Sequence, residues 1–439
     1  MVSTAPDVST AIAHKTSGET LGDTSDSTSP APLNQRVRPA VRSLHPELLE
    51  WRRHLHQYPE LGFRENLTAQ FISHKLGQWG IDHQTGVAET GIVAVIEGTG
   101  TGAVAGAGED PKKAPVLGIR ADMDALPVRE QNEVWYRSRH EGKLHACGHD
   151  GHVAIALGTA KYLSEHRDTF AGTVKIIFQP AEEGPGGAEP MIQAGALKTP
   201  DVDAIIGRHI WNNLAAGTVV VRSGPLMAAV ETFHLKILGK GGHGAMPDQT
   251  VDSIVVASQI VNALQTIVAR NVDPIDSAVV TVGTFQAGSA LNVIAISADL
   301  CGTVRYFNPK LVGAIEHRIR QIVAHTCQMH GATFALDYKR LYPATVNDPA
   351  IATLIKSIAE DVLETPLGVI PDCQTMGGED MSYFLQAVPG CYFFLGSANA
   401  AQNLDYPHHH PRFNFDESVL VQGVEIFARC VETFCGEPQ

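Results

Sequence analysis

Apolar residues along the chain recur in two rhythms, and the change between them outlines a fold. Leu44, Leu48, Leu49 and Leu55 return at helical spacing, and residues 65–79 continue in the same manner. Residues 91–97 and 116–121 are short apolar runs of strand length. A helix over 151–166, a strand over 173–179, a helix near Glu189 and a strand over 204–207 follow. Such alternation predicts βαβ units and a sheet covered on both faces by helices. After Gly224 the pattern gives strands at 230–238, 278–285 and 297–306, with long amphipathic helices at 252–268 and 309–330. Two strand–helix–strand passages there predict a smaller α/β domain inserted into the first. From about Tyr338 the helix–strand alternation of the large domain resumes. The Gly/Ala-rich run 98–115 reads as a surface loop.

The first ~40 residues, rich in Ser, Thr, Pro and Ala, have little apolar periodicity and read as a disordered tail. They lack the basic start and apolar middle of a secretory signal, and their acidic residues argue against a transit peptide. The 439 residues exceed what one small core would hold, so two folded units are expected. A net charge of −14 disfavours nucleic acid as a partner. No uninterrupted apolar stretch approaches ~18 residues, so no membrane span is expected. The seven cysteines are scattered and odd in number, which suits a reducing compartment such as the cytoplasm.

Candidate chemistry gathers where predicted strands end. His145-Ala-Cys-Gly-His149-Asp-Gly-His152 stands before a helix, and thiolate and imidazole both bind Zn²⁺ and neighbouring metals. Glycines 148 and 151 permit a turn that brings Cys147 and His149 to one point. A helix N-terminus there would help Cys147 ionise. Gln179-Pro-Ala-Glu-Glu-Gly184 ends an apolar strand. Paired carboxylates on a loop are usually only solvated, but this is where α/β sheets present active-site groups. Adjacent carboxylates can also divide roles, one binding metal and one taking a proton from water. His209 follows a strand, where a lone histidine is more often structural. Pro407-His-His-His-Pro-Arg-Phe413 is a further cluster, inside a chain that continues with a helix over 417–434. Gly239-Lys-Gly-Gly-His243-Gly-Ala-Met-Pro247 reads as a turn whose histidine could donate to a developing oxyanion. His-Glu-x-x-His, Gly-x-Ser-x-Gly and Cys-x-x-Cys are all absent, which removes several rival chemistries.

Taken together, these segments resemble the amidohydrolase branch of the M20 metallopeptidase family, with its hippurate hydrolases, N-acyl-amino-acid amidohydrolases and plant auxin-conjugate hydrolases. The matching pieces are Arg53-His-Leu-His-Gln-Tyr-Pro-Glu-Leu61, Gly118-Ile-Arg-Ala-Asp-Met-Asp-Ala-Leu-Pro127 and the segment from His145 to His152. Gln179–Gly184, Gly241-Gly-His-Gly-Ala-Met-Pro247, Gly377-Gly-Glu-Asp380 and His409-His-Pro411 continue the series in family order. The resemblance implies an α/β fold with a large mixed-sheet catalytic domain over 43–224 and 338–439. An inserted lid and dimerisation domain would occupy 225–337, and residues 1–42 would form the tail.

The resemblance also implies two divalent ions, Zn²⁺ or Mn²⁺ with Co²⁺ and Ni²⁺ as further options. Cys147 would bridge them, and His149, Glu183, His209 and His409 would complete the ligands. Glu182 would be the general base, and Asp122 and Asp124 would orient ligands from behind. His243 would stabilise the tetrahedral intermediate, within its own chain or in a partner subunit's site, and a homodimer through the inserted domain is compatible with that. Asn292 and Arg305 would hold a substrate carboxylate. His408 stands where relatives often carry leucine, so the last ligand is His408 or His409, and the His-x-Pro spacing favours His409. Asp248 also departs from relatives, which often have histidine there. The implied reaction is hydrolysis of an N-acyl amino acid, a small-molecule substrate, to a carboxylic acid and an amino acid. The alternatives are a dipeptidase or carboxypeptidase of the same family, and a non-catalytic metal-binding homologue. The presence of both Glu182 and His243 disfavours the last.

Overall fold

A computed structural model describes residues 34–100, 114–363, 368–370 and 372–436. Most of the expected tail, and residues 101–113 of the expected surface loop, lie outside the described residues. The tail was expected to reach residue 42, but order begins earlier. Pro39–Arg42 is helical, and Val37 and Val41 are buried. Arg38 Nε and Nη1 donate to Glu425 and Glu432 at 2.8 and 2.7 Å. Two valines and a paired arginine are too few to give a periodic signal, which is why this segment reads as tail.

Eight strands form the large sheet in the order Asp82–Val87, Gly91–Glu97, Thr173–Gln179, Val116–Asp122, Ala204–Ala215, Gly390–Ala398, Val219–Val220, Val369–Ile370. Its four central strands, from Thr173–Gln179 to Gly390–Ala398, are parallel, and Gly91–Glu97 on one side and Val219–Val220 on the other join them antiparallel. Val116–Asp122 is buried at every position, as a strand covered on both faces must be. One face packs against His45–Gln57, His149–Glu165 and Leu420–Phe434, and the other against Ala188–Gln193 and Met381–Ala387. His149–Glu165 is buried around nearly its whole circumference, as expected of a helix apolar on all sides. Close packing is possible because it carries small residues: a Cβ on Gly158 would meet Leu48 Cδ2 at 2.6 Å.

The chain passes from Val116–Asp122 to its neighbour Thr173–Gln179 on one side, then crosses back to Ala204–Ala215 on the other. Such a switch opens a crevice beyond the carboxyl ends of the strands. The strand expected to stop at residue 207 runs on through Ala215. His209 therefore lies within it. Arg208, His209 and Asn212 are buried there, and their polarity concealed the strand.

A second, four-stranded antiparallel sheet has the order Ala278–Ala287, Ser297–Tyr306, Ala229–Leu238, Thr333–Tyr342. Phe233, Leu235 and Ile237 alternate inward with exposed His234, Lys236 and Leu238. Helices Ser253–Asn271 and Ala314–His330 cover the inner face and share a core of their own with it. Asp252 caps the first of these helices, accepting from the amides of Ile254 and Val255. The strand Thr333–Tyr342 passes through residue 338, where alternation of the large sheet was expected to resume. It is a mostly exposed edge, with charges at Asp337, Lys339 and Arg340, and so gives little apolar signal.

Ser253–Asn271 is long and apolar enough to cross a membrane by length and composition, which an uninterrupted-run criterion does not detect. Its buried Val256, Ile260, Leu264 and Ile267 form one stripe on the small sheet, so it serves as an amphipathic covering helix.

Candidate metal centre

Three segments enter the crevice from different directions. Gly148, at φ +91°, makes the turn that ends at Cys147 and starts the helix at His149. The second segment leaves Thr173–Gln179 through Ala181, which at φ +56° adopts a conformation that costs a non-glycine residue about 1–3 kcal/mol. Buried Glu65 accepts from Ala181 N at 2.9 Å and holds that turn. Asp124 then accepts from Glu182 N through Oδ1 (3.1 Å) and from Glu183 N through Oδ2 (3.0 Å). The third segment brings His409, also left-handed at φ +65°, whose amide donates to Ala146 O at 2.8 Å.

Hydrogen bonds sort the histidines by the nitrogen each leaves open, because a neutral imidazole has one donor and one acceptor. His149 Nδ1 faces two acceptors, Asp124 O at 2.9 Å and Asp124 Oδ1 at 3.2 Å. Its proton is therefore on Nδ1, and Nε2 is buried with no hydrogen-bond partner. His209 is alike: Nδ1 donates to Ile210 O at 2.5 Å, and Nε2 lies 3.4 Å from Cys147 Sγ. His152 has neither nitrogen open, since Nδ1 meets Asp122 Oδ1 at 2.5 Å and Nε2 accepts from Ile210 N at 2.9 Å. His408 Nε2 accepts from Asn212 N at 3.0 Å, which leaves its proton on Nδ1.

Ligand-type atoms form two groups that share Cys147, one with His149 and His209 and the other with Glu183 and His409. A third joins His149 with Glu182 and Glu183, and within each group the atoms lie within 4.8 Å of one another. Glu183 Oε1 is buried and accepts no hydrogen bond, although His409 Nε2 lies 3.1 Å away. Electrostatics favour a cation. Burial opposes protonation of His149, yet Asp122, Asp124 and Glu183 outweigh it and raise the ring to about 10. Cys147 runs opposite to its expected easy ionisation, because burial and the nearby Glu183 and Glu182 hold the thiol well above its ordinary range. A thiolate there calls for positive charge beside it. Two orphaned buried acceptors, a thiol and further carboxylate and imidazole groups fit a metal centre.

A cavity of about 350 Å³ opens over this cluster, lined by Cys147, Glu182, Glu183, His209, His408 and His409. Arg305 and Tyr342 from the small sheet's strands reach its wall, as do Trp211, Met227, Met376 and Glu379. Asp122 and Asp124 lie behind the cluster, Asp124 against His149 and Asp122 against His152 and Arg120. His243 and Asn292 are not brought to the cavity. They sit together on an exposed ribbon in which Gly242–His243 pairs with Val293–Ile294.

Sequence reasoning attached no role to Glu379, Asp380 or Tyr342, although Gly377-Gly-Glu-Asp380 was legible as a motif. Asp380 Oδ2 accepts from Gly187 N and Ala188 N at 2.9 and 3.0 Å, clamping the far end of the turn that carries Glu182 and Glu183. Tyr342 OH donates to Glu182 O at 3.0 Å. Because Asp124 fixes both His149 and that turn, Asp124→Ala is expected to lower metal affinity about 10–100-fold. Metal titration against a competing chelator checks this, and unchanged affinity would remove Asp124 from the supporting role.

The model for peptidase family M20/M25/M40 matches residues 118–433. The IAA-amino acid hydrolase ILR1-like 4 of Arabidopsis thaliana is 40% identical over 383 residues, 86% of this chain and 83% of that protein. Thermostable carboxypeptidase 1 of Saccharolobus solfataricus is 36% identical over 395 residues, 89% of this chain and 96% of its own length. Among solved structures, the Bacillus subtilis YXEP protein, described as a dinuclear metal binding peptidase from the M20 family, is similar at TM-score 0.76. It is 33% identical, covering 90% of this chain and 99% of that one. The chain belongs to peptidase family M20/M25/M40.

Proposed function

We propose that this chain is a metal-dependent amide hydrolase that cleaves N-acyl amino acids into a carboxylic acid and a free amino acid. One observation carries the reading: two ligand groups share Cys147 beneath a cavity that Glu182 and Arg305 also line. Cys147, His149, Glu183, His209 and His409 would hold two divalent ions, Zn²⁺ or Mn²⁺ by donor chemistry, with Co²⁺ and Ni²⁺ also suited. Such ions would lower the pKa of water and polarise the amide carbonyl. The open Nε2 atoms of His149 and His209 support their roles as ligands. His408, with its proton on the nitrogen that faces Cys147, offers no lone pair there, which supports His409 as the last ligand.

Glu182 takes a proton from the attacking water and returns it to the leaving amine. Burial, then Glu379, Glu183 and Asp380, hold its carboxyl well above the usual range, a direction that suits a proton acceptor. Arg305, which lines the cavity and whose Nε donates to Thr303 Oγ1 at 3.1 Å, would take the substrate carboxylate at the wall.

The small sheet with its helices acts as a lid and dimerisation unit. Leu291 is fully exposed and Ile296 is 66% exposed, beside His243 and Asn292. We read this apolar ribbon as the seat of a second copy, which would carry His243, and Asn292 with it, to a partner's cavity. A monomeric mass in solution for active enzyme would contradict that. All seven cysteines are unpaired, and with Cys147 needed as a ligand we place the protein in the cytoplasm. Recovery of the native enzyme from an exported fraction would contradict that placement.

A screen of N-acetyl, N-benzoyl and indole-acyl amino acids beside dipeptides, with each metal added to chelated protein, tests the function. Turnover of N-acyl amino acids at least tenfold above dipeptides is expected. The reverse preference would favour the peptidase reading, which the similarity to a carboxypeptidase keeps in view.

A further inference from the structure

We infer that His408 donates a hydrogen bond from Nδ1 to Cys147 Sγ, and that this bond tunes the sulfur as a metal ligand. The inference rests on the reading of Cys147 as a ligand thiolate and adds a residue to it. Nε2 of His408 lies 3.0 Å from Asn212 N. A backbone amide only donates, so Nε2 is unprotonated and the single proton of the neutral ring is on Nδ1. That atom is 3.8 Å from Cys147 Sγ, within reach of the large sulfur. Among the described residues, sulfur is the one acceptor within hydrogen-bonding distance of Nδ1.

The ring has little freedom to choose otherwise. Asn212, whose amide sets the proton's position, is itself fixed: its side-chain Nδ2 donates to Tyr406 O at 2.8 Å and to Asn414 O at 3.0 Å. Its Oδ1 accepts from Ser397 Oγ at 2.9 Å. Trp211 and Phe413 hold the imidazole from two sides, with ring centroids 4.8 and 5.0 Å away. Orientation and tautomer are thus set by groups outside the proposed ligand set, the usual construction for an outer residue that tunes a ligand.

A donor aimed at a thiolate draws electron density from sulfur and stabilises the anion relative to the thiol. A less electron-rich sulfur donates less to a bound metal and leaves it a stronger Lewis acid. His408 is in this account a positioning and tuning residue and not a ligand.

The test uses cobalt-loaded protein, in which a thiolate ligand gives a sulfur-to-cobalt charge-transfer band in the near ultraviolet. His408→Gln can still accept from Asn212 N but places no N–H at the Nδ1 position, whereas His408→Asn places its amide nitrogen close to that position. The band is expected to move to longer wavelength in His408→Gln and to return toward wild type in His408→Asn, each protein keeping two cobalt ions. His408→Phe, which retains the ring packing, should shift the band as Gln does and serves if the Gln variant does not fold. A wild-type band that both His408→Gln and His408→Phe leave in place overturns the hydrogen bond alone. Absence of the band from cobalt-loaded wild type overturns the assignment of Cys147, and this inference with it.

Discussion

Replacing Glu182 with Gln is expected to lower turnover on the order of 10²–10⁴-fold, the range of general acid–base catalysis, while the protein keeps its metal. Glutamine has nearly the same shape, and the backbone would stay where Asp124 and Tyr342 hold it. Only the capacity to take and return a proton is lost. Glu183, one residue on, should behave differently, because its Oε1 is among the orphaned acceptors of the cluster. Glu183→Gln is therefore expected to lose metal together with activity. A purified Glu182→Gln protein with near wild-type turnover would end the assignment of the base, and one that sheds its metal would recast Glu182 as a ligand.

Arg120→Met is expected to destabilise the protein by about 3–5 kcal/mol, the usual consequence of removing one partner from a buried ionic cluster. Arg120 is 1% exposed and serves three carboxylates, with Nη1 on Asp122 at 2.6 Å and Nη2 on Asp380 and Glu379 at 2.8 and 2.9 Å. Its Nε donates to Gln179 Oε1 at 2.7 Å. Without the arginine these carboxylates remain buried and uncompensated. Burial already raises Glu379 and Asp380 above the carboxylate range, Asp380 to about 7, against the opposing pull of Arg120. Losing that pull raises both further. A carboxyl raised in the folded state contributes stability below its unfolded pKa and loses it as pH rises toward the folded value. The deficit of Arg120→Met should accordingly be larger at pH 8 than at pH 5. Chemical denaturation of the metal-loaded proteins at both pH values reads this out, and a loss under about 1 kcal/mol at pH 8 would refute it.

The two residues also show what the chain discloses and what it conceals. Glu182 was legible because an apolar strand ends just before it, and that strand forms over Thr173–Gln179. Arg120 was visible only inside a motif, since Asp380, one of its three carboxylates, stands 260 residues further along the chain. The alternation that predicted a sheet covered by helices was legible for the same reason as Glu182: buried parallel strands are short apolar runs. His209 was misread as following its strand, because the polar residues that make a site are the ones that break the pattern. His243 and Asn292 were grouped with the cavity by resemblance, and in a single chain the geometry keeps them on an outer ribbon. The tautomers of His149, His209 and His408 depend on Asp124 O, Ile210 O and Asn212 N. Backbone atoms carry no sequence signal, so the His-x-Pro spacing favoured His409 over His408 without disclosing which nitrogen either ring leaves open.

Catalysis in the proposed mechanism would depend on two ions held by Cys147, His149, Glu183, His209 and His409. The most direct measurement follows metal content per chain and amide hydrolysis together as active protein is stripped with a chelator and then reloaded. Activity is expected to fall to background as content drops from two ions toward none, and to return on reloading. Full hydrolytic activity in metal-free protein would contradict the account.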